Sequence, residues 1–299
     1  MMNNCFGSGN PTAQKALRQP YHFLPIDLRF SYDMTSMLSL EERDAMRKGV
    51  IHQREQWMRS IAEPYLDKSV QFDIKVVWHN RPYEAIIGEI FAGEHDILIK
   101  ATRKHDMLES VIFTPTDWHL MRKCPTPVLL VKNADWPENA NIIASVHVGS
   151  ELDTHIDLND RMVEQLLNLS KRLGASPYLV NAYPVTPANI TIELPEFDPT
   201  TYTDAVRGHH LTAMKALRQK HGLSEEQTLV QQGLPEDVIP EAAKQLNAAM
   251  VILGTTGRTG LSAVFIGNTA EHVIDKINCD VLALKPNGYV SPLDPQTAI

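Results

Sequence analysis

Residues 252–274 read ILGTTGRTGLSAVFIGNTAEHVI, an apolar run joined to a helix-like run by a glycine-rich loop. Glycine lets backbone N–H groups point inward, and it lets phosphate oxygens approach without meeting a Cβ atom. The helix is expected to begin near Asn268 and Thr269, where free N–H groups and the helix dipole favour an anion. The stretch is therefore typical of a strand, a phosphate-binding loop and a helix. Its glycines are at positions 254, 257, 260 and 267.

Short apolar runs alternate with helix-like stretches along most of the chain. In the helix-like stretch after residue 150, Met162, Leu166, Leu169 and Leu173 recur at the spacing of one helical face. Strands that alternate with helices indicate βαβ units, and nearly continuous Val, Ile and Leu content suits a parallel sheet covered on both faces. The main predicted strands are 72–78, 96–101, 127–132, 141–149, 176–185 and 280–286, with further helices over about 200–221 and from 235.

The two halves of the chain repeat each other at a constant offset of 153 residues. Two prolines that each precede a helix-like run, Pro82 and Pro235, are separated by this offset. The same offset places His119 on His272, and it places the strand VLLVK (128–132) on VLALK (281–285). A single offset kept over such a distance indicates an internal duplication.

We therefore predict two tandem, doubly wound, Rossmann-like α/β domains over residues 1–134 and 135–299. The second half begins with strand 141–149 and a helix before strand 176–185, whereas the first half reaches its counterpart of 176–185 already at FLPIDL (23–28). Because no apolar run precedes that counterpart, the first strand of the N-terminal domain is predicted to be missing. A truncated start of the chain and an imperfectly folded first half are the two explanations.

The composition narrows the class of protein. The formal charge is −8, a sign that does not favour binding to nucleic acid or to an anionic membrane. Cys5, Cys124 and Cys279 are odd in number and widely spaced, which favours a reducing compartment without a disulfide framework. No apolar run approaches the ~18 residues of a membrane span, and the start MMNNCFGSGNPTAQ lacks a signal-peptide core. A cytoplasmic protein is the prediction.

The spacing Gly254-x2-Gly257-x9-Gly267-Asn268, after a strand, resembles the G-x2-G-x9-G-(S/T) motif of the universal stress protein family. The tandem layout is similar to that of two-domain bacterial members, and the resemblance covers about residues 22–290. It implies HUP-type domains that pair through their last strands. The strands at 128–132 and 281–285 are then expected to meet antiparallel and to form a pseudo-dimer within one chain, which would cover two sheet edges.

The chain departs from the ATP-binding members of that family at two positions. Asn268 stands where the motif has Ser or Thr; its amide can donate to a phosphate, and Asn is also a good helix N-cap. His147, in ASVHVGS, stands where those members have an aspartate that contacts the nucleotide. The first half has lost the glycines of the motif altogether. The matching positions there are Ala101, Lys104 and Thr114.

The loop and the resemblance together predict a ligand site at the carboxyl ends of the second-half strands, with ATP as the candidate and no cofactor required. His147 is expected to make a polar contact with the adenine or phosphate side of the nucleotide, and Gly267 and Asn268 are expected to meet phosphate. The alternative is that the glycines serve only turns and close packing. The candidate residues are His147, Gly149, Gly254, Gly257, Arg258, Gly267, Asn268 and Thr269.

No pattern typical of catalysis or of a metal site occurs in the sequence. The chain has 12 histidines, but His79, His105 and His119 lack the close spacing of metal ligands. His209 and His210 are adjacent, so they point to different faces of a helix. There is no GxSxG motif, and the cysteines near the two last strands are expected to be packed thiols. We predict no catalytic residue and no metal ligand.

The segment VTPANITIELPEFDP (185–199) is apolar and rich in proline. Such a segment is expected to lie against a sheet edge or the other half of the chain. The alternative is a lipophilic ligand held between its apolar side chains. Those side chains are Ile190, Ile192, Leu194 and Phe197.

Three functions are compatible with these patterns. The first is a non-enzymatic protein of the bacterial stress response that binds a small ligand, either a nucleotide or a lipophilic molecule. The second is a slow ATPase or phosphotransfer enzyme, and the absent strand-end aspartate argues against it. The third is a scaffold for protein partners with a vestigial nucleotide site. In each, the chain is expected to be a monomer or a homodimer without a membrane span.

Overall fold

The computed structural model describes residues 22–23, 26–29, 39–65, 71–93, 95–104, 111–112, 114–132, 136–185, 198–255 and 268–296. The helices within these ranges are α1 Leu40–Ala62, α2 Pro82–Ala92, α3 Pro115–Lys123, α4 Asp153–Leu173, α5 Pro199–Lys220, α6 Pro235–Gln245 and α7 Asn268–Lys276. The strands are β1 His22–Phe23, β2 Ile26–Arg29, β3 Gln71–Phe72, β4 Lys75–Trp78, β5 Leu98–Ala101, β6 Arg103–Lys104, β7 Val111–Ile112, β8 Val128–Val131, β9 Asn141–Ser145, β10 Ser176–Tyr183, β11 Thr228–Gln232, β12 Ala248–Gly254 and β13 Asp280–Leu284.

The chain divides into two compact units, Met1–Glu94 and His95–Ile299. The second unit contains a seven-stranded sheet in the order β11-β10-β9-β12-β13-β8-β5. Its first five strands are all parallel and follow the order 3-2-1-4-5 of a doubly wound domain. The prediction of a Rossmann-like α/β fold with a mainly parallel sheet is confirmed.

Helices pack on this sheet through the apolar faces that the sequence pattern indicates. α4 contacts β9, β10 and β12, and α5 contacts β10 and β11. Leu158, Met162 and Leu166 of α4 join Ile142 and Met214 in one buried cluster. Burial of a side chain of this size contributes about 1.5–3 kcal/mol, so this cluster is a main source of stability for the second half.

The pairing of β13 with β8 relates the two halves of the duplication. β13 pairs with β8 antiparallel, with Leu282 opposite Leu129. These two residues are separated by the repeat offset of 153, so a pseudo-twofold axis passes through their pair. The predicted pseudo-dimer within one chain, paired through its last strands, is confirmed. The duplication also appears in α2 and α6, which have 11 residues each and begin at Pro82 and Pro235.

Lys132, which follows β8, caps the end of α7. Its Nζ atom donates to the carbonyl oxygen of Ile274 at 2.8 Å and to that of Ile277 at 2.5 Å, and the residue is only 8% exposed. Its backbone N–H donates to Oδ1 of Asp280 at 2.8 Å, while Nε1 of Trp136 donates to Oδ2 of the same carboxylate at 2.9 Å. The first half thereby supports a helix of the second half.

Lys285 occupies the equivalent position after β13, and it caps α3 in return. Its Nζ atom donates to the carbonyl oxygen of Arg122 at 3.0 Å, and the hydroxyl of Tyr289 donates to the same oxygen at 2.6 Å. The amine also lies 4.7 Å from the centre of the Tyr289 ring. Carbonyl groups at the C-terminal end of a helix carry partial negative charge, so a lysine there stabilises the helix. Lys132 does this for α7, and Lys285 does it for α3.

We expect the buried lysines to make stability depend on pH between about 7 and 9. Burial lowers the pKa of Lys285 to about 7 and that of Lys132 to about 8. An unfolded lysine keeps its proton to about pH 10, so the unfolded state binds more protons in this range and the free energy of unfolding rises with pH. Urea unfolding of wild type and Lys285→Met should show wild type gaining stability relative to the variant from pH 7 to 9.

A buried thiol changes the stability in the opposite direction at higher pH. Burial raises the pKa of Cys279 to about 12, so above the usual pKa of a thiol the folded state binds the extra proton and stability falls. A difference between wild type and Lys285→Met that stayed constant from pH 7 to 9 would contradict the prediction. Cys124 and Cys279 are free, buried thiols, as the sequence predicts.

In the first unit, β2 pairs with β4 in parallel, with Ile26 opposite Lys75. β2 and β4 are the counterparts of β10 and β11, which are also parallel neighbours. α1 packs on β4 and begins with a capping box in which Ser39 and Glu42 exchange hydrogen bonds. The helix α1 was not among the predicted elements. The predicted strand 72–78 is split into β3 and β4.

Two predictions about domain organisation stay predictions. The segment 1–21, where the first strand of the N-terminal domain would be sought, lies outside the described residues. The predicted boundary between residues 134 and 135 separates the two sequence repeats, whereas the division after Glu94 separates the two compact units. The two boundaries do not coincide, because β5 and β8 belong to the same sheet as the strands of the second half.

Candidate functional site

The candidate residues that the structure describes lie at the carboxyl ends of two adjacent strands. His147 and Gly149 follow β9, and Gly254 is the last residue of β12, which pairs with β9 in parallel. Thr255 then fixes the end of β12, because its N–H and its hydroxyl both donate to the carbonyl oxygen of Leu284, at 2.8 and 3.0 Å. Adjacent parallel strands end at the same edge of a sheet, so these positions face one region.

The remaining candidate positions belong to the glycine-rich loop and the helix after it. Gly257, Arg258 and Gly267 lie outside the described residues. Asn268 and Thr269 are described through their backbone, as the first two residues of α7. The helix was predicted to begin near Asn268 and Thr269, and Asn268 is the first residue of its described part.

Two buried amide side chains hold the loop after β9. Asn159 of α4 accepts from the N–H of His147 at 2.9 Å and donates to its carbonyl oxygen at 3.0 Å. Asn181 of β10 donates to the carbonyl oxygen of Val146 at 3.0 Å. These contacts replace strand hydrogen bonds, which explains why β9 ends at Ser145 although the pattern predicted a strand to residue 149. That predicted end is wrong, and the difference creates the loop.

His210 of α5 completes this network. Its Nδ1 atom lies 2.8 Å from Oδ1 of Asn181, and the residue is 6% exposed. The Asn181 amide group donates to Val146, so its oxygen must accept, and Nδ1 of His210 carries the proton. Nε2 of a neutral His210 is therefore the acceptor nitrogen. The Tyr183 ring lies 5.6 Å from the His210 ring.

Both described glycines of the candidate site are required by close packing. A Cβ atom on Gly149 would lie 2.3 Å from Cε1 and 2.6 Å from Nε2 of His210. A Cβ atom on Gly254 would lie 2.6 Å from Cδ2 of Leu158. Distances this short cannot exist without movement of the neighbours. The packing explanation of these two glycines is therefore sufficient without a ligand.

His147 itself is exposed at this edge of the sheet. Its ring lies 5.4 Å from that of His155 in the first turn of α4, and Nδ1 of His155 lies 2.6 Å from the hydroxyl of Ser150. Partial withdrawal from water lowers the pKa of His147, and the nearby His155 and His210 lower it further. The ring is accordingly neutral at neutral pH, and it can donate one hydrogen bond and accept another.

The sequence did not reveal the residues that hold the loop. Asn159, Asn181 and His155 were not candidates, and His210 was considered only as a weak metal ligand. The helical pattern already placed His210 on the inward face of α5, four residues before Met214, and that position was the available signal. Within the described ranges, no group of three or more His, Cys, Asp or Glu side chains is arranged to hold a metal ion.

The doubly wound fold and the loop at the strand ends define a class of α/β proteins, and comparison with known families identifies the family. A model of the universal stress protein family matches residues 12–132 and again residues 153–285. The chain belongs to the universal stress protein family, and the resemblance predicted from its motif and duplication is confirmed.

Within this family, the chain is similar to particular curated proteins and to solved structures. Universal stress protein E of Salmonella typhi is 56% identical over 273 residues, which cover 91% of this chain and 86% of the relative. Universal stress protein E of Escherichia coli (strain K12) is 55% identical over the same shares of both chains. A solved universal stress protein structure from Pseudomonas aeruginosa has a TM-score of 0.67 at 26% identity and covers 89% of this chain and 94% of that chain.

None of the helices within the described residues is both long enough and apolar enough to cross a membrane.

Proposed function

We propose that the chain is a non-enzymatic universal stress protein that acts in the bacterial stress response by binding a small ligand in its second half. ATP is the first candidate for that ligand. The observation that carries the proposal is the position of the loop after β9, between β10 on one side and β12 on the other. The strand order reverses at this point, and ligands of open α/β sheets bind there.

The rigidity of the described part of the site supports the proposal. Asn159 and Asn181 hold the backbone at Val146 and His147, so a ligand meets positions that are already ordered. Preorganisation of this kind lowers the entropy that binding must overcome. The loop positions Gly257, Arg258 and Gly267 complete the proposed site, and Asn268 and Thr269 supply the helix start.

Nucleotide binding is tested by substitution of the last loop glycine. We expect Gly267→Asp to weaken ATP binding by at least about 100-fold, because a carboxylate beside the phosphates repels them and a side chain fills their space. The measurement is calorimetric titration of ATP, after native mass spectrometry of the freshly purified protein. Gly88→Asp is the matched control, since a Cβ atom on Gly88 of α2 meets nothing within 4 Å.

The outcomes separate the alternatives. Equal ATP affinity in wild type and Gly267→Asp would place the nucleotide elsewhere, and a copurified lipid-like mass would favour the apolar segment 185–199. The scaffold alternative is favoured by the packing contacts of Gly149 and Gly254, which account for both glycines. A chain that copurifies empty and ignores ATP would make that alternative the leading one. ATP turnover in the titrated sample would instead favour the slow enzyme.

A cytoplasmic location remains the prediction made from the cysteine usage. It rests on the composition of the chain.

A further inference from the structure

Four histidines lie in two pairs beside the proposed ligand site, and we call them the imidazole cluster. They are His147 in the loop after β9, His155 on α4, and His209 and His210 on α5. The ring centres of His147 and His155 are 5.4 Å apart, and those of His209 and His210 are 5.7 Å apart. The fields of His155 and His210 both act on His147. The cluster therefore draws on three separate elements of the second half.

The cluster is rigid on its inner side. His210 is held by Asn181, which fixes the Nδ1–H tautomer, and its Cε1–Nε2 edge packs against Gly149. Burial lowers the pKa of His210, and the adjacent His209 lowers it further. On the outer side, His147 is exposed and His155 is partly exposed. His209 is exposed as well, and His147 and His155 are the pair nearest to the loop after β9.

Partial withdrawal from water disfavours the charged form of His147, and the histidines of α4 and α5 disfavour it further. Ser150 contacts His155, and Tyr183 of β10 packs against His210. Glu151 and Asp153 stand near the start of α4 and are exposed. The charged neighbours that act on His147 are both imidazoles, and each would repel a second proton.

A bound anion would place a negative charge beside His147 and would stabilise the protonated form of its imidazole. The N-cap residue Leu152 of α4 makes no side-chain hydrogen bond to the first turn, and Asp153 is the one carboxylate in that turn.

We propose that the imidazole cluster binds a phosphate group of the ligand and takes up a proton when it does so. This inference rests on the ligand-binding function proposed above and adds the chemistry of one part of the site. Its consequence is a binding affinity that rises as the pH falls through the titration range of histidine. An increase of one unit in the pKa of one imidazole corresponds to a tenfold change in affinity.

The test follows the titration of each histidine by NMR in the full chain labelled with ¹⁵N-histidine. Sulfate is the first probe, because it keeps the same charge over this pH range whereas phosphate titrates. We expect sulfate to raise the pKa of His147 by about one unit, compared with chloride at the same ionic strength. His52 of α1, which lies 2.9 Å from Nε2 of Gln56, is the internal control and should not shift.

Three further observations complete the test. In His155→Gln the sulfate-dependent shift of His147 should fall by at least half, because the anion loses one of its two partners. Adenosine monophosphate should reproduce the shift and adenosine should not, if the phosphate belongs to a nucleotide; sulfate acting without the nucleotide would indicate free oxyanions. An unchanged pKa of His147, or an equal rise at His52, would overturn the proposal.

The result is separable from the test of ATP binding. A sulfate-dependent shift together with failed ATP titration removes the nucleotide function and keeps the anion site. ATP binding that has the same affinity at pH 6 and pH 8, with no shift at His147, keeps the nucleotide function and removes the imidazole proposal.

Discussion

Replacement of Lys132 by alanine is expected to lower the free energy of unfolding by about 3–5 kcal/mol. The buried amine of Lys132 donates to the carbonyl groups of Ile274 and Ile277 at the end of α7. Without it, those carbonyl groups lose a charged donor and the carboxylate of Asp280 loses a nearby positive charge, while a cavity forms along the lost side chain. The measurement is the urea midpoint at constant m-value.

Two variants separate the causes of this loss. Lys276→Ala is the matched control, because Lys276 forms an ion pair with Asp237 in which the two side chains are 48% and 63% exposed. An exposed pair of this kind is expected to contribute about 0–1 kcal/mol. Lys132→Met keeps most of the side-chain volume, so it should lie between wild type and Lys132→Ala. Equal stabilities of Lys132→Ala and Lys276→Ala would contradict the assignment of Lys132 as a buried helix cap.

Lys132 also connects the two halves of the duplication in a functional sense. The first half has lost the glycines of the phosphate-binding motif, yet its last strand ends in the lysine that holds α7. α7 begins at Asn268, within the proposed ligand site. The first half can thus be retained because it supports the helix of the second-half site, even where it binds nothing itself.

The elements that the sequence predicted well are those that bury an apolar face. The strands of the second half follow from apolar runs, whereas the antiparallel pairing of β8 with β13 was expected from the resemblance to the universal stress protein family. α1 was missed because few of its residues are apolar, and only Met58 and Ala62 among them are buried. Its capping box at Ser39 and Glu42 was the local signal that would have identified it.

The candidate site could be predicted only in part. The strand ends follow from the position of the motif, because the order of strands fixes which ends are adjacent, whereas His147 was expected from the resemblance to the universal stress protein family. The supporting residues Asn159, Asn181 and His210 come from three elements that are distant in sequence. Their contacts depend on side-chain hydrogen bonds between packed elements. Neither periodicity nor spacing carries that information.

Gly149→Ala is the second substitution with a large expected effect, a loss of about 2–3 kcal/mol in the free energy of unfolding. The new Cβ atom would lie 2.3 Å from Cε1 of His210, a ring that Asn181 holds in place. Either the ring moves and Asn181 loses its partner, or the loop moves away from the strand end. Gly208→Ala is the control of opposite sign, because Gly208 lies in α5 with nothing within 4 Å, and alanine there should stabilise by up to ~1 kcal/mol.

A double-mutant cycle then identifies the clash. In the His210→Ala background the ring is absent, so Gly149→Ala should cost less than about 1 kcal/mol, and the coupling energy should be about 1–2 kcal/mol. The same loss of stability in both backgrounds would mean that the ring of His210 is not the group with which the new Cβ atom clashes. A glycine required by a ligand would instead show a loss of ATP affinity in Gly149→Ala with an unchanged urea midpoint. The cycle and the ATP titration together therefore distinguish a Gly149 required by packing from a Gly149 required by a phosphate.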